Sequence, residues 1–278
     1  MSRQHALSFS DDGRYLFHIR PTAVRIWREQ QFVRQHPGRF VGHARDGRTF
    51  LTENWETKVI SAWDSDSGAP IDRSAIAPDS YSVKQRTLIR QERLTLILHD
   101  ALVDAPPRRI TLDAHEHACI DTWDLSADGS LLAIAFWFDM HGHDAAWGNC
   151  YRLTGGDRIE HVFEFEVARF ADTYIQFCDP HRLLVISDSP SQRSVLNTST
   201  GHRVKRFQYE LGKGGDFLCF SPVDANVAAL HYNRDRWRLY NGSHARDIDE
   251  PALAAAFHPS GRQVVTAMET NALHVHTV

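Results

Sequence analysis

Several features that would settle function quickly are missing from this sequence. There is no Cys-x-x-Cys pair. The four cysteines (Cys119, Cys150, Cys178 and Cys219) are widely spaced, each in an apolar, strand-like stretch. They are expected to be reduced, buried small hydrophobes, not a disulfide framework or a zinc knuckle. No apolar run approaches the roughly 20 residues that span a bilayer. The first stretch, "MSRQHALSFSDDGRYL", has no signal-peptide core, so the expectation is a cytoplasmic chain with no membrane partner. No Gly-x-Ser-x-Gly elbow, Walker-type loop or His-Glu-x-x-His occurs. The glycine-rich "GKGGD" at 212–216 has no following helix to offer a phosphate its N-terminus, and reads as a loop. No segment keeps a period of 3.6 over twelve residues, so helices should be nearly absent.

What is present suits a globular chain. Of 278 residues, 42% are apolar and 24% charged, and the net charge of −4 creates no field that demands a nucleic acid or a membrane. Charge is uneven, however. Residues 1–50 hold nine arginines (Arg3, Arg14, Arg20, Arg25, Arg28, Arg34, Arg39, Arg45, Arg48) against Asp11, Asp12, Glu29 and Asp46. Solvated strands and turns account for this density, and an acidic partner is the sharper alternative.

One unit recurs along the chain: a β-prone run, a turn resembling Phe-Ser-x-Asp-Gly-Arg, then a second apolar run. It is seen in "ALSFSDDGRYLFHI", "FVGHARDGRTFLTE", "TWDLSADGSLLAIAF", "IQFCDPHRLLVISD", "LCFSPVDANVAALHY" and "AAFHPSGRQVVTAM". The residues before the turn are Phe9, His43, Leu125, Phe177, Phe220 and Phe257. Their gaps cluster around 40 residues, the period of a four-stranded propeller blade, with one double gap that should hide a degenerate unit in "YSVKQRTLIRQERLTLILHDALVDAPPRRITL".

The unit has a physical logic. Its first run alternates apolar and polar, as a half-buried strand does. Asp-Gly makes the tight turn, because Gly accepts positive φ and Asp bonds its own backbone. The second run is denser in aliphatic residues, as for a strand buried on both faces. Third strands follow in "AVRIW", "VISAW", "NCYRL", "RSVLN", "RWRLY" and "ALHVHTV", and outer fourth strands in "GAPIDRS" and "GHRVKRF".

"FSDDGRYL…VRIW" and "DGRTFL…VISAWDSDSG" resemble the tryptophan–aspartate (WD-repeat) β-propeller family, with Trp63-Asp64 as the signature dipeptide and "FHPSGR" and "FSPV" as turn variants. The resemblance covers essentially the whole chain. It departs from the family in keeping a single Trp-Asp pair at a strand end and no full Gly-His…Asp…Trp set. It implies an all-β, seven-bladed β-propeller of four-stranded antiparallel blades, one domain over 1–278. The blades are expected near 4–37, 38–74, 75–113, 114–161, 162–207, 208–250 and 251–278. The last unit stops at its third strand, and Met1–Gln4 are too few for an outer strand of five or six residues. That blade should have three strands, or a short fourth borrowed from the N-terminus. Its open edge is a template for strand addition by a partner.

Candidate site residues follow from the loops. "HEH" (His115, Glu116, His117) leads into the inner strand of the fourth unit, and "DMHGHDAAWG" (with Asp139, His141 and His143) links its second and third strands. Both map to the same face of the same blade, with Trp147 and Phe138 packing the loop base. His115, His117, His141 and His143 are the candidate metal ligands, with Asp139 and Glu116 in support. The other reading is a polar contact loop. His-x-His has low specificity in a chain with 17 histidines. Arg20, Trp55, Tyr174, Tyr232, Arg234, Arg236 and Trp237 flank loops on that face and are of the types that anchor interfaces. Asp172, Asp188 and Asp235 are placed near strand ends there.

The expected function is a non-enzymatic interaction scaffold of the WD-repeat kind, a cofactor-free subunit of a protein complex. The alternatives are a metal-dependent propeller hydrolase or lyase using the blade-4 histidines, and binding of nucleic acid or another acidic partner through the basic first blades. Nucleic acid is disfavoured because "NRDRWRLY" is the one dense basic–aromatic stretch and Asp235 interrupts it.

Overall fold

A computed structural model describes residues 6–278, except 115–117, 139–144, 155–156, 168–172, 180–181, 188–191, 208–216, 225–226, 234–235, 242–243, 249–250, 269 and 271. The described residues form seven antiparallel sheets. Sheet 1 holds β1 (Ala6–Phe9), β2 (Tyr15–Ile19), β3 (Ala23–Arg28) and β4 (Gln31–Pro37). Sheet 2 holds β5 (Arg39–His43), β6 (Thr49–Glu53), β7 (Ile60–Asp64) and β8 (Pro70–Ile71). Two 3-10 turns and one helical turn, α1 (Val83–Arg86), precede sheet 3, made of β9 (Thr87–Glu92), β10 (Thr95–Asp100) and β11 (Arg108–Thr111). Sheet 4 holds β12 (Cys119–Leu125), β13 (Leu131–Phe138), β14 (Ala145–Leu153) and β15 (Ile159–Glu166). Sheet 5 holds β16 (Thr173–Asp179), β17 (Arg182–Ser187), β18 (Gln192–Asn197) and β19 (Arg203–Phe207). Sheet 6 holds β20 (Phe217–Phe220), β21 (Val227–Asn233), β22 (Arg236–Asn241) and β23 (His244–Ile248). Sheet 7 holds β24 (Ala254–Phe257), β25 (Gln263–Ala267) and β26 (Leu273–Thr277).

The repeat unit maps onto these meanders: Phe9, His43, Leu125, Phe220 and Phe257 each end the first strand of a sheet. Two expectations need adjustment. The boundary after 161 cuts through β15, whose alternating "IEHVFEFE" carries the fourth sheet on to Glu166. Sheet 3 has three described strands, not four. Its lead-in holds α1 instead, where Ser82 accepts the Gln85 amide as a helix cap, and Val83 N–H reaches across to the Ala127 carbonyl.

The chain divides into two compact units, one of residues 1–81 with 211–278 and one of 82–210. Within each, apolar residues gather between successive sheets. In the first unit Phe17, Val24, Ile26 and Phe50 fill the space between sheets 1 and 2. Ala229, Trp237, Leu239 and Val264 fill that between sheets 6 and 7. In the second unit Leu96, Ile110, Leu132 and Ile134 lie between sheets 3 and 4, and Ala133, Cys150, Phe163 and Leu183 between sheets 4 and 5. Burial of each large side chain contributes roughly 1.5–3 kcal/mol. First strands lie side by side: β12 by β16, β20 by β24, and β24 by β1.

Polar groups fasten these seams. The Asp124 carboxylate on β12 accepts from Lys84 Nζ of α1 (2.6 Å to Oδ1) and from the Phe177 amide of β16 (2.8 Å to Oδ2). Asp121 accepts the Thr173 amide at 3.1 Å. In the other unit, Ser8 Oγ on β1 lies 2.8 Å from His43 Nε2 on β5. His43 Nδ1 lies 2.8 Å from the Ala44 carbonyl, and can only donate to it. Nε2 is therefore the acceptor for the Ser8 hydroxyl, and burial holds the His43 pKa below its ordinary value.

The turn glycines show why Asp-Gly recurs. Gly47 has φ +69°, and a Cβ there would stand 2.7 Å from Tyr15 Cβ of the preceding sheet. Gly13 has φ +73° and would put a Cβ 2.1 Å from His258 Nε2 of sheet 7. Glycine meets two demands at once, positive φ and close approach by the neighbouring sheet. The Trp-Asp pair is structural as well. Trp63 Nε1 donates to Thr52 Oγ1 at 2.9 Å, while Asp64 Oδ1 accepts the Asp66 and Ser67 amides that shape the β7–β8 turn. Those Ser67 bonds hold the Asp64 pKa below its ordinary value.

Candidate protein-interaction surfaces

Trp55 sits on the β6–β7 loop, and local hydrogen bonds set its position. Asn54 Oδ1 accepts the Glu56 and Thr57 amides at 2.9 and 3.0 Å, and the Lys58 amide donates to the Asn54 carbonyl at 3.0 Å. Lys58 adopts φ 59°, which turns the chain back into β7. The result is a fixed loop with its apolar groups outward: Trp55 is 49% exposed and Val59 56%. The Lys58 ammonium stands 5.3 Å from the Trp55 ring centroid. A large ring held in place with a cation above it has the character of an interface anchor.

Arg20 occupies the corresponding loop of sheet 1, closed by its amide on the Ala23 carbonyl at 2.9 Å. It is partly buried. Burial pushes the Arg25 guanidinium below its ordinary value, and the Arg20 charge adds to the effect. The basic first fifth is extensively paired within the fold: Arg14 with Glu29, Arg28 with Asp66, Arg39 with the buried Glu53, and Arg48 with Asp46.

A second surface lies in the same unit, between sheet 7 and sheet 1. It is a groove of about 390 Å³ with apolar walls from Phe9, Leu16, Trp27, Val265, Leu273 and Val275. Asp12, Arg14, Glu29, Gln30, His258 and Gln263 supply its polar lining. His258 meets Phe9 edge-on at 5.3 Å and bonds Ser260 Oγ at 2.8 Å through Nδ1. Glu29 and Gln30, in the β3–β4 turn, both have positive φ, 49° and 67°, without being glycine. Trp27 Nε1 is buried with no hydrogen-bond partner. Sequence reasoning noted the short last sheet but missed this groove, because no local pattern marks a space between residues 9 and 275.

The remaining expected site residues divide as follows. His115, His117, Asp139, His141, His143 and Arg234 lie outside the described residues, as do Glu116, Asp172, Asp188, Asp235 and the "GKGGD" loop. Their flanks are described. Cys119 at the start of β12 pairs with Trp137 near the end of β13. β14 begins at Ala145, and within it Trp147 pairs with and stacks on Phe136 at 5.2 Å. Tyr174, Tyr232 and Arg236 are within strands β16, β21 and β22, not in loops. Trp237 belongs to the core: it is 2% exposed and its Nε1 donates to the Ala252 carbonyl at 2.9 Å.

Among the described residues, no group of three or more His, Cys, Asp and Glu could hold a metal ion. Cys150 is buried as expected, and burial pushes its thiol up to about 12, which makes it inert as a nucleophile near neutral pH. Cys119 is exposed, contrary to expectation. It opens β12 opposite the exposed Trp137, at the rim of the sheet, where strand composition alone does not distinguish rim from core.

No family model matches the sequence, and no curated protein matches it. Solved structures do. The β-propeller domain of Cps50 (Swd1) from Myceliophteria thermophila matches with a TM-score of 0.68 at 14% identity, over 100% of this chain and 98% of that one. The C-terminal WD40 domain of Sif2 matches with a TM-score of 0.56 at 12% identity, over 98% and 80%. The hydrazine synthase of Kuenenia stuttgartiensis matches with a TM-score of 0.62 at 13% identity, over 98% and 95%. At these identities the likeness shows the fold, an all-β propeller of the kind WD40 domains have. A synthase among the neighbours illustrates that the frame does not itself decide function.

Proposed function

We propose that this chain is a non-enzymatic interaction module that works in the cytoplasm as a subunit of a protein complex, engaging partners through the loop ends of its sheets. One observation carries the reading: the Trp55 loop, where a half-exposed indole is fixed by three Asn54 bonds and flanked by Lys58 and Val59. A partner surface that covers this pre-positioned indole and Val59 recovers burial energy with little ordering cost. The internal pairing of the first arginines weighs against an acidic partner there. The WD40-like fold agrees with scaffolding.

Affinity capture from native host extract, read by quantitative mass spectrometry, tests it. Trp55→Ala, which alters no buried group, should reduce a stoichiometric partner at least tenfold, the size expected of an anchor residue. Capture that is identical for the wild type and the Trp55→Ala variant would remove this loop as the site. The metal-dependent alternative draws on the two His-x-His pairs that precede β12 and follow β13 in the sequence. Stoichiometric metal in the purified protein, lost in the His141→Ala/His143→Ala double variant, would favour it.

A further inference from the structure

Sheet 7 ends in a strand whose outer edge has no strand paired to it among the described residues. The register shows what that edge offers. The Val278 amide bonds the Arg262 carbonyl, and the Met268 amide bonds the Ala272 carbonyl. With Val264 opposite His276 and Thr266 opposite His274, the even-numbered residues of β26 therefore bond inward to β25. Leu273, Val275 and Thr277 point their N–H and C=O groups outward. The Thr277 carbonyl already accepts the Arg246 guanidinium from β23. Among the described residues, no hydrogen bond is made by the amides and carbonyls of Leu273 and Val275.

Burial singles out the same strand. Among the described residues, the third strand of every other sheet has at least one buried residue, such as Ile26 in β3, Ala62 in β7, Ile110 in β11, Cys150 in β14, Val195 in β18 and Leu239 in β22. β26 has none, and Val275 is 37% exposed. Leu273 and Val275 line the 390 Å³ groove together with Trp27 of sheet 1. In sheets 1, 2, 4, 5 and 6 a fourth strand pairs antiparallel with the third.

We infer that the β26 edge and this groove take one extended segment of a partner protein, which pairs antiparallel with β26 as the fourth strand of sheet 7. The segment bonds the outward backbone of Leu273 and Val275 and sets alternate apolar side chains against Leu273, Val275 and Trp27. Only a strand supplies donors and acceptors at the two-residue spacing of such an edge, with apolar groups on one face. A second copy of this chain would have to bring the rest of its own sheet into the groove. The site is separate from the Trp55 loop, so either proposal can fail alone.

The probe is a panel of acetylated, amidated heptapeptides that alternate threonine with valine, leucine or phenylalanine. Binding is read by fluorescence anisotropy and by hydrogen exchange resolved at single amides. Val275→Pro removes the outward N–H together with the groove-lining valine side chain, and proline is compatible with an edge position. Trp27→Ala removes the aromatic wall of the groove. At least one peptide should bind and slow exchange at Leu273 and Val275. Val275→Pro should weaken it about tenfold with an unchanged circular dichroism spectrum, Trp27→Ala should weaken it about threefold or more through lost apolar contact, and Trp55→Ala should leave it unchanged. The inference is overturned if no peptide binds. It is equally overturned if the two amides are already protected in the free protein and released by removing residues 1–5, which would make the chain its own occupant. A concentration-dependent dimer abolished by Val275→Pro would overturn it in favour of a second copy.

Discussion

Replacing Asp124 probes how successive sheets are fastened. Its carboxylate accepts from Lys84 at 2.6 Å and from the Phe177 amide at 2.8 Å, so one side chain joins α1, β12 and β16. Asp124→Asn keeps an oxygen for the amide and loses the charge facing Lys84. The Lys84 side chain is 38% exposed, so solvent screens that pair and its loss costs about 1 kcal/mol. Asp124→Ala loses both bonds and leaves the N–H of the buried Phe177 unpaired, which adds about 1–3 kcal/mol. The expected order is wild type, then Asn, then Ala, with Ala lower by about 2–4 kcal/mol. With a urea slope of about 3 kcal/mol per molar, the Ala midpoint should fall by about 1 M. Urea titration followed by tryptophan fluorescence measures the order, and hydrogen exchange at the Phe177 amide locates it. Equal losses for Asn and Ala, or unchanged Phe177 protection in the Ala variant, would refute the reasoning.

Two further outcomes follow from the same geometry. Gly47→Ala should destabilise by more than the roughly 1–2 kcal/mol of a left-handed alanine, because its Cβ also meets Tyr15; a thermal midpoint within 1 °C of the wild type would contradict this. His43 has a pKa held below its unfolded value near 6.5, so the unfolded chain takes up a proton that the folded one refuses. Its contribution is complete above about pH 6.5 and is lost as pH falls below that value. The unfolding midpoint should therefore drop more between pH 7.5 and 5.5 in the wild type than in His43→Gln, and equal drops would refute the assignment.

The strand order could be read in the sequence because its signals are short-range. Asp11-Asp12-Gly13 and Asp46-Gly47 announce turns by backbone preference, and the aliphatic runs after them become β2 and β6. Sheet 3 was harder, since its lead-in exchanges the strand for a capped turn at Ser82. Side-chain roles were harder still. Trp55 and Trp237 have the same chemistry, and both were expected near loops. The first is held outward by Asn54, and the second donates to a carbonyl fifteen residues away inside the core. Cys119 and Cys150 separate in the same way, one at a sheet rim and one between two sheets.

By itself, then, the sequence determined a succession of antiparallel strand units and their tight turns. Those properties depend on φ preference and on a two-residue period, which a chain carries locally. Only the tertiary structure decided which residues meet across sheets: Asp124 with Phe177, Ser8 with His43, Gly13 with His258, and the groove that Leu273 and Val275 form with Trp27. Such partners are separated by up to some 250 residues, and their approach is set by packing of one sheet on the next, which no local pattern encodes.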